Sequence, residues 1–337
     1  MLRGAFVGFG NVAEKGHAPG WRARRSDVEI AAATDAAPSR REAFLAAFPG
    51  GRWYDTPASL LSGERLDFVD ICAPPGAHAQ LILQALDARL HVLSEKPLVT
   101  RVADAEAVAT AAACSGRIVH TVHNWLNAPV CLKISALTAA GAIGAVHSVH
   151  WRTLRSQPAV TAGPAGVANW RVDPRLAGGG ILFDHGWHAV YCVTRWAGAP
   201  HAVSARLETR RHHEWPLEDT ATVDLETDGG ASQIFLTWAA DERLNEIEIE
   251  GERGRISLEG DTVILASPSG DRRFSCPPAL SEGSHHPDWF DGVVEDFLGA
   301  VAGGRPDNLK QAVLCARLMD AAQRSSAAGG ARLSFIA

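Results

Sequence analysis

Gly4-Ala5-Phe6-Val7-Gly8-Phe9-Gly10-Asn11-Val12-Ala13 runs from an apolar strand through a glycine turn into a helix. Each small residue of this G-x-G-x-x-A pattern has a physical task. The first glycine makes the tight turn, the second lets a pyrophosphate approach the backbone, and the third small residue lets helix and strand pack closely. The N–H groups and positive partial charge at the start of the helix then suit phosphate oxygens. Working outward, the same texture repeats. VEIAAAT, FVDICA, HVLSE and RIVHTV read as strands, with alanine-rich helical periodicity near 11–25, 38–47, 76–89 and 101–114. Strands alternating with helices of that length predict a doubly wound parallel sheet covered on both faces.

Asp35 ends the second strand, about 20 residues beyond the turn, where a carboxylate accepts a hydrogen bond from a ribose 2′-hydroxyl. The same charge repels a 2′-phosphate, so NAD is favoured over NADP. Ser39, Arg40 and Arg41 stand close enough to leave NADP open. The bland alternative for Asp35 is a turn residue ahead of Pro38.

After Asn124 the pattern changes. One helix near 128–140 ends at Gly141, and long alternating strands follow: AVHSVHWRTLR, ATVDLET, SQIFLTWAA and EIEIEGERGRISLEG. Period-two alternation and the Asp228-Gly229-Gly230 link predict a large, mostly antiparallel sheet with one covered face. The other face is solvated or paired with a second copy. A helix over about 308–328 and a short strand, RLSFI, complete the chain. The expected organisation is a Rossmann domain over 1–123 and a C-terminal α+β domain over 124–337 for substrate binding and oligomerisation.

Bulk properties narrow the function class. The 337 residues allow two sizeable cores, and 46% hydrophobic with 21% charged residues is ordinary for a globular protein. A net charge of -6 argues against a nucleic-acid partner. No run approaches the roughly 18 apolar residues of a membrane span. An apolar strand almost at the first residue leaves no room for a signal peptide, so a cytoplasmic location is expected. The six cysteines are scattered singly and suggest neither a disulfide framework nor a zinc site, so no metal is expected. His212-His213-Glu214 and His285-His286-Pro287-Asp288 lie in polar, loop-like sequence and read as solvated loops. Ten tryptophans supply flat apolar faces that suit cores and sugar rings alike.

The chemistry concentrates in Gly178–Tyr191, GGGILFDHGWHAVY. Asp184 and His188 stand four apart, so on an α-helix they share a face. A carboxylate with an imidazole suits proton transfer near neutral pH. The three glycines let another group, a ligand among the candidates, approach the backbone. A helical structural element is the competing reading.

Three further segments complete a set: Cys72-Ala73-Pro74-Pro75-Gly76-Ala77-His78, Glu95-Lys96-Pro97 and Trp170-Arg171-Val172-Asp173. In order and spacing, the whole chain resembles the glucose-fructose oxidoreductase, inositol dehydrogenase and rhizopine-catabolism (Gfo/Idh/MocA) family. The resemblance implies that Lys96 contacts both nicotinamide ribose and substrate hydroxyl, that Asp184 holds the substrate, and that His188 is the proton-transferring base. It implies nucleotide contacts from Gly8, Phe9, Gly10, Asn11, Val12 and Asp35, with Ala73, Pro74, His78 and Glu95 lining the cofactor cleft. Many relatives carry an arginine soon after the sixth strand, where this chain reads His123-Asn124-Trp125-Leu126-Asn127. Trp125 is therefore a candidate apolar wall of the substrate pocket, with Trp170 and Arg171 as further substrate contacts. Arg152 and Arg155 are weaker candidates.

The expected function is an NAD(P)-dependent dehydrogenase acting on a secondary alcohol of a sugar, polyol or cyclitol, assembled as a homodimer or homotetramer. Two alternatives compete. One is a glycosidase or sugar–sugar oxidoreductase that retains its NAD, and the other is a non-catalytic dinucleotide sensor.

Overall fold

The computed structural model describes residues 1–160 and 169–335. The chain forms two compact units. The first holds the described residues of Met1–Asn124, Val160–Gly178 and Ser284–Ala316, and the second those of Trp125–Ala159, Gly179–Gly283 and Arg317–Ala337.

The first unit is built on six parallel strands: β1 (Leu2–Val7), β2 (Val28–Thr34), β3 (Arg52–Tyr54), β4 (Phe68–Ile71), β5 (His91–Ser94) and β6 (Val119–Thr121). Their order, β3-β2-β1-β4-β5-β6, reverses direction between β1 and β4. Ligands of open α/β sheets bind at that switch, beyond the strand C-termini. Residues of β4 and β6 are buried throughout, including the polar Asp70, His120 and Thr121, as expected of strands covered on both faces. The short β3 and the helix Pro57–Gly63 were not legible as elements, being brief and partly exposed.

An aromatic core of Phe6, Phe9, Trp21, Phe44, Phe68, Phe290 and Phe297 fills one side of the sheet. Phe290 and Phe297 come from the helix Pro287–Val301. The polar run His285-His286-Pro287-Asp288 predicts a solvated loop, but the helix starts inside it, at Pro287. Trp289, Phe290, Val293, Val294 and Phe297 nevertheless repeat at helical spacing and are buried. Each such side chain contributes about 1.5–3 kcal/mol of burial, so this helix belongs to the core.

The second unit carries nine strands: β7 (Val146–Leu154), β8 (Ala202–Glu208), β9 (Thr220–Thr227), β10 (Gly230–Thr237), β11 (Leu244–Gly251), β12 (Gly254–Glu259), β13 (Thr262–Ala266), β14 (Arg272–Ser275) and β15 (Leu333–Ser334). Their order is β14-β13-β12-β11-β7-β10-β9-β8-β15. Every pairing is antiparallel except β7 with β10. Thr227 faces Gly230 across the expected hairpin. Alternate residues are buried: Val223 and Leu225 on β9, Ile247 and Ile249 on β11, and Trp151 on β7. The opposite face is polar, with Arg152 bonded to Glu246 and Arg255 near Glu248 and Glu250. Water suits such a face, so the alternation needs no apolar cover there.

Candidate cofactor and proton-transfer residues

The glycine turn behaves as its sequence requires. Gly8 has φ +91°, and a Cβ there would sit 2.7 Å from the Ala73 nitrogen and 2.8 Å from the Cys72 carbonyl carbon. Only glycine fits. A Cβ on Gly10 would meet nothing within 4 Å, so this residue faces open space of the kind a pyrophosphate needs. Ala13 is wholly buried, as close helix–strand packing demands. The helix opens with a π-turn over Ala13–His17 before continuing as Ala18–Ala23. Single π-turns of this sort occur often at functional segments.

Asp35 does more than wait for a ribose. Its Oδ2 accepts the Phe9 N–H at 2.7 Å and its Oδ1 accepts the Ala37 N–H at 2.7 Å. Arg40 takes the other end of the same residue: Nε donates to the Phe9 carbonyl at 2.7 Å, and Nη2 to Glu14 Oε2 at 2.5 Å. Carboxylate and guanidinium thus clamp the turn at its middle residue. A carboxylate has about four lone-pair positions, so Asp35 retains acceptor capacity for a sugar hydroxyl.

Behind the strand ends lies a buried charged network that the sequence reading did not find. Asp70, wholly buried on β4, lies 2.9 Å from His17 Nδ1 through Oδ2 and accepts the Trp21 Nε1–H at 2.7 Å. His17 Nε2 stands 3.1 Å from Glu95 Oε1, and the other oxygen of Glu95 accepts the Lys96 N–H at 2.8 Å. The imidazole stacks on Phe290 at 3.9 Å. Burial opposes a charge on His17, but Asp70 and Cys72 together outweigh it and hold the imidazole well above the ordinary histidine range. Burial would raise the Glu95 carboxyl, yet His17 and Lys96 together keep it below the usual value. An acidic residue inside an apolar strand, FVDIC, was the available signal. Cys72 Sγ also lies 3.2 Å from His17 Nδ1. The three side chains are close enough to bracket an ion, but the separations of His17 from Asp70 are those of hydrogen bonds.

Other expected cofactor residues serve from behind. His78 is wholly buried, with Nδ1 2.8 Å from the Pro97 carbonyl and Nε2 2.7 Å from the Ala73 carbonyl. It ties the loop after β4 to the loop after β5, and burial lowers its pKa. Pro74, Asn11, Val12 and Lys96 are partly or fully exposed. Trp170 and Arg171 form a stacked pair with the guanidinium 4.4 Å from the ring centroid.

The second unit holds Asp184, His188 and Trp125. Leu182–Gly186 is a π-turn and the α-helix proper is Trp187–Ala197. The four-residue spacing of Asp184 and His188 therefore does not equal one α-turn, a correction to the expectation that they stack one above the other. Asp184 Oδ2 stands 3.2 Å from His185 Nδ1. His188 Nδ1 stands 2.7 Å from Tyr191 Oη, and its ring lies parallel to Trp125 at 4.3 Å. Trp125 is only 7% exposed and stacks in turn on Trp151. Its indole supports the imidazole.

The glycine run also needs correcting. The group that approaches Gly180 is the chain's own: a Cβ there would fall 1.8 Å from the Glu218 carbonyl oxygen. Glu218 Oε1 accepts the N–H of Gly180 at 2.8 Å and of Leu182 at 3.2 Å, capping the turn that carries Asp184. At Gly179 the neighbour is the Phe183 ring. Arg155 is buried, donating to the Leu154 and Leu244 carbonyls and to Asn245 Oδ1, and burial lowers its pKa to about 10. It braces the sheet.

Comparison with known proteins places these features in a lineage. Residues 2–123 match the family described as an oxidoreductase family with an NAD-binding Rossmann fold, and residues 131–257 match the GFO/IDH/MocA C-terminal domain. D-apiose dehydrogenase of Paraburkholderia graminis is 30% identical over 302 residues, covering 84% of this chain and 75% of that enzyme. D-glucoside 3-dehydrogenase of Escherichia coli is 28% identical over 59% of this chain, and the match spans only 55% of that enzyme's length. The crystal structure of levoglucosan dehydrogenase with NADH and levoglucosan superimposes with a TM-score of 0.84 at 21% identity, covering 99% of both chains.

Proposed function

Because this chain belongs to the Gfo/Idh/MocA family of NAD-binding oxidoreductases, we propose that it oxidises a secondary alcohol of a sugar, polyol or cyclitol. The observation that carries the reading is the glycine turn, closed at Gly8 by the chain itself and open at Gly10. The residues present fit a dinucleotide. Gly8, Phe9, Gly10, Asn11 and Val12 would hold the pyrophosphate, and Asp35 the adenosine ribose. Nicotinamide supplies the hydride acceptor when bound.

This chain's own residues do the rest. Removing a hydride from a carbinol carbon requires the hydroxyl proton to leave, and an imidazole is suited to take it. His188 fills that role, Asp184 holds the substrate, and the Lys96 ammonium steadies the developing alkoxide. Trp170 and Arg171 present an indole face and a guanidinium, a pairing suited to a hydroxylated ring. The names of the dehydrogenases for apiose, glucosides and levoglucosan support the sugar class.

A panel of sugars, inositols and sugar nucleotides, incubated with NAD or NADP and followed by the absorbance of reduced nicotinamide, tests the proposal. NADH should accumulate with at least one member. Product formation without net NADH would point to retained-cofactor chemistry, and binding without turnover to a sensor. NAD should bind more tightly than NADP, since Asp35 disfavours a 2′-phosphate and Arg40 is committed to Phe9 and Glu14. Tighter NADP binding would redirect attention to Arg41. We also read the protein as a homodimer or homotetramer, in keeping with the family. Light scattering at micromolar concentration should give a mass above that of one chain.

A further inference from the structure

A neutral imidazole has one N–H and one lone pair, and the bond made by one nitrogen decides what the other can do. His188 as a base needs its lone pair on the nitrogen offered to the substrate. Its Nδ1 is not that nitrogen, because it lies 2.7 Å from Tyr191 Oη inside the protein. Tyr191 is wholly buried. The same Oη accepts the backbone N–H of Trp125 at 3.1 Å. A backbone N–H only donates, so this bond occupies one lone pair of the phenol oxygen and holds that oxygen in place, and the contact with Nδ1 uses either the second lone pair or the O–H. The imidazole has little freedom to turn away. Trp125 covers one face with an interplanar angle of 12°, and His188 as a whole is 6% exposed.

We propose that Tyr191 is a positioning residue: its oxygen takes the Nδ1–H of His188 and so keeps Nε2 unprotonated, ready to receive the substrate proton. This rests on the reading of His188 as the proton acceptor. The proton passes from the substrate hydroxyl to Nε2, giving an imidazolium whose Nδ1–H remains on Tyr191 Oη. The hydride leaves the same carbinol carbon for the oxidised nicotinamide, so charge and electrons balance. Were the phenol O–H turned onto Nδ1 instead, the proton of neutral His188 would sit on Nε2 and block acceptance. Tyr191 is thus the residue that separates an active from an inactive tautomer.

Tyr191→Phe keeps the ring and removes only the oxygen. Two measurements on the intact protein decide the matter. With ¹⁵N-labelled histidine, the His188 resonance, assigned by its loss in His188→Gln, should show the Nδ1–H tautomer in the parent above the imidazole titration. In Tyr191→Phe it should shift toward the Nε2–H form. The variant's kcat should fall about ten- to a hundredfold, with KM and NAD affinity within about twofold. A purely structural tyrosine would lower Tm and leave the tautomer alone. An Nε2–H tautomer in the parent overturns the proposal, and that measurement needs no variant to fold. So does a Tyr191→Phe enzyme with parental kcat. If His188→Gln itself keeps parental turnover while folded, the reading of His188 as base fails instead, and the tautomer spectrum still reports on Tyr191.

Discussion

Two histidines of this protein are almost equally buried and oppositely dressed. His17 is 2% exposed and sits between the carboxylates of Asp70 and Glu95. His188 is 6% exposed, with a phenol oxygen on Nδ1 and an indole on its face. Carboxylates on both nitrogens stabilise the imidazolium and hold its charge in place, which suits a structural tie between the nucleotide turn and the Glu95-Lys96 turn. The other ring meets a neutral oxygen at Nδ1 and an aromatic face. Burial alone therefore does not separate a histidine tied between carboxylates from one proposed to carry a proton. Their partners do.

The comparison breaks most visibly through His188. In His188→Ala turnover should fall by about 10²–10⁴-fold, the range for a lost general acid–base group. NAD affinity, measured by titration, should hardly move. Near-parental turnover in a folded variant would mean that the proton travels elsewhere.

His17→Leu should show the reverse profile, a loss of stability first. It leaves the Asp70 and Glu95 carboxylates without their shared partner, and removing one member of a buried ion pair costs about 3–5 kcal/mol. Urea unfolding near neutral pH measures it. The pH dependence has a definite sign. Because folding raises the His17 pKa, its contribution is complete below the ordinary histidine value and is lost as pH rises through the folded one. The stability gap between parent and variant should therefore narrow on the alkaline side. A gap that widens with pH would show that His17 is neutral in the folded protein.

The smallest effects sharpen the same division within three residues. Gly8→Ala must put a side chain at φ +91° against backbone atoms, a strain of about 1–3 kcal/mol. Gly10→Ala meets open space and should leave stability within about 0.5 kcal/mol. Its cost should fall on NAD affinity instead, by at least about tenfold. Thermal melts with and without NAD distinguish the two. Equal effects on both would place Gly10 in the structural class with Gly8.

Much of this was legible locally. The central parallel strands are rich in apolar residues because both their faces are covered, and β9 and β11 alternate because only one face packs on the core. The Gly8 and Gly10 assignments followed from turn chemistry confined to a few consecutive residues. The helix Pro287–Val301 was equally written in the spacing of Phe290, Val293, Val294 and Phe297, although a polar cluster at its start obscured it. The glycine run before Ile181 was harder. It marks a close approach, but nothing within it says that the visitor is Glu218 and not a ligand.

What the sequence determined by itself is the alternation of elements, the dinucleotide turn and the family, and it nominated Lys96, Asp184 and His188 as candidates. Those signals are periodic or contiguous, set by backbone geometry over a few residues. The tertiary structure decided which groups surround each functional side chain. Asp70 meets a histidine 53 residues away, that histidine meets a carboxylate 78 residues on, and Tyr191 meets a backbone N–H 66 residues before it. Such partners are chosen by strand order and helix packing, and a carboxylate or phenol carries no local mark of the group it will hold.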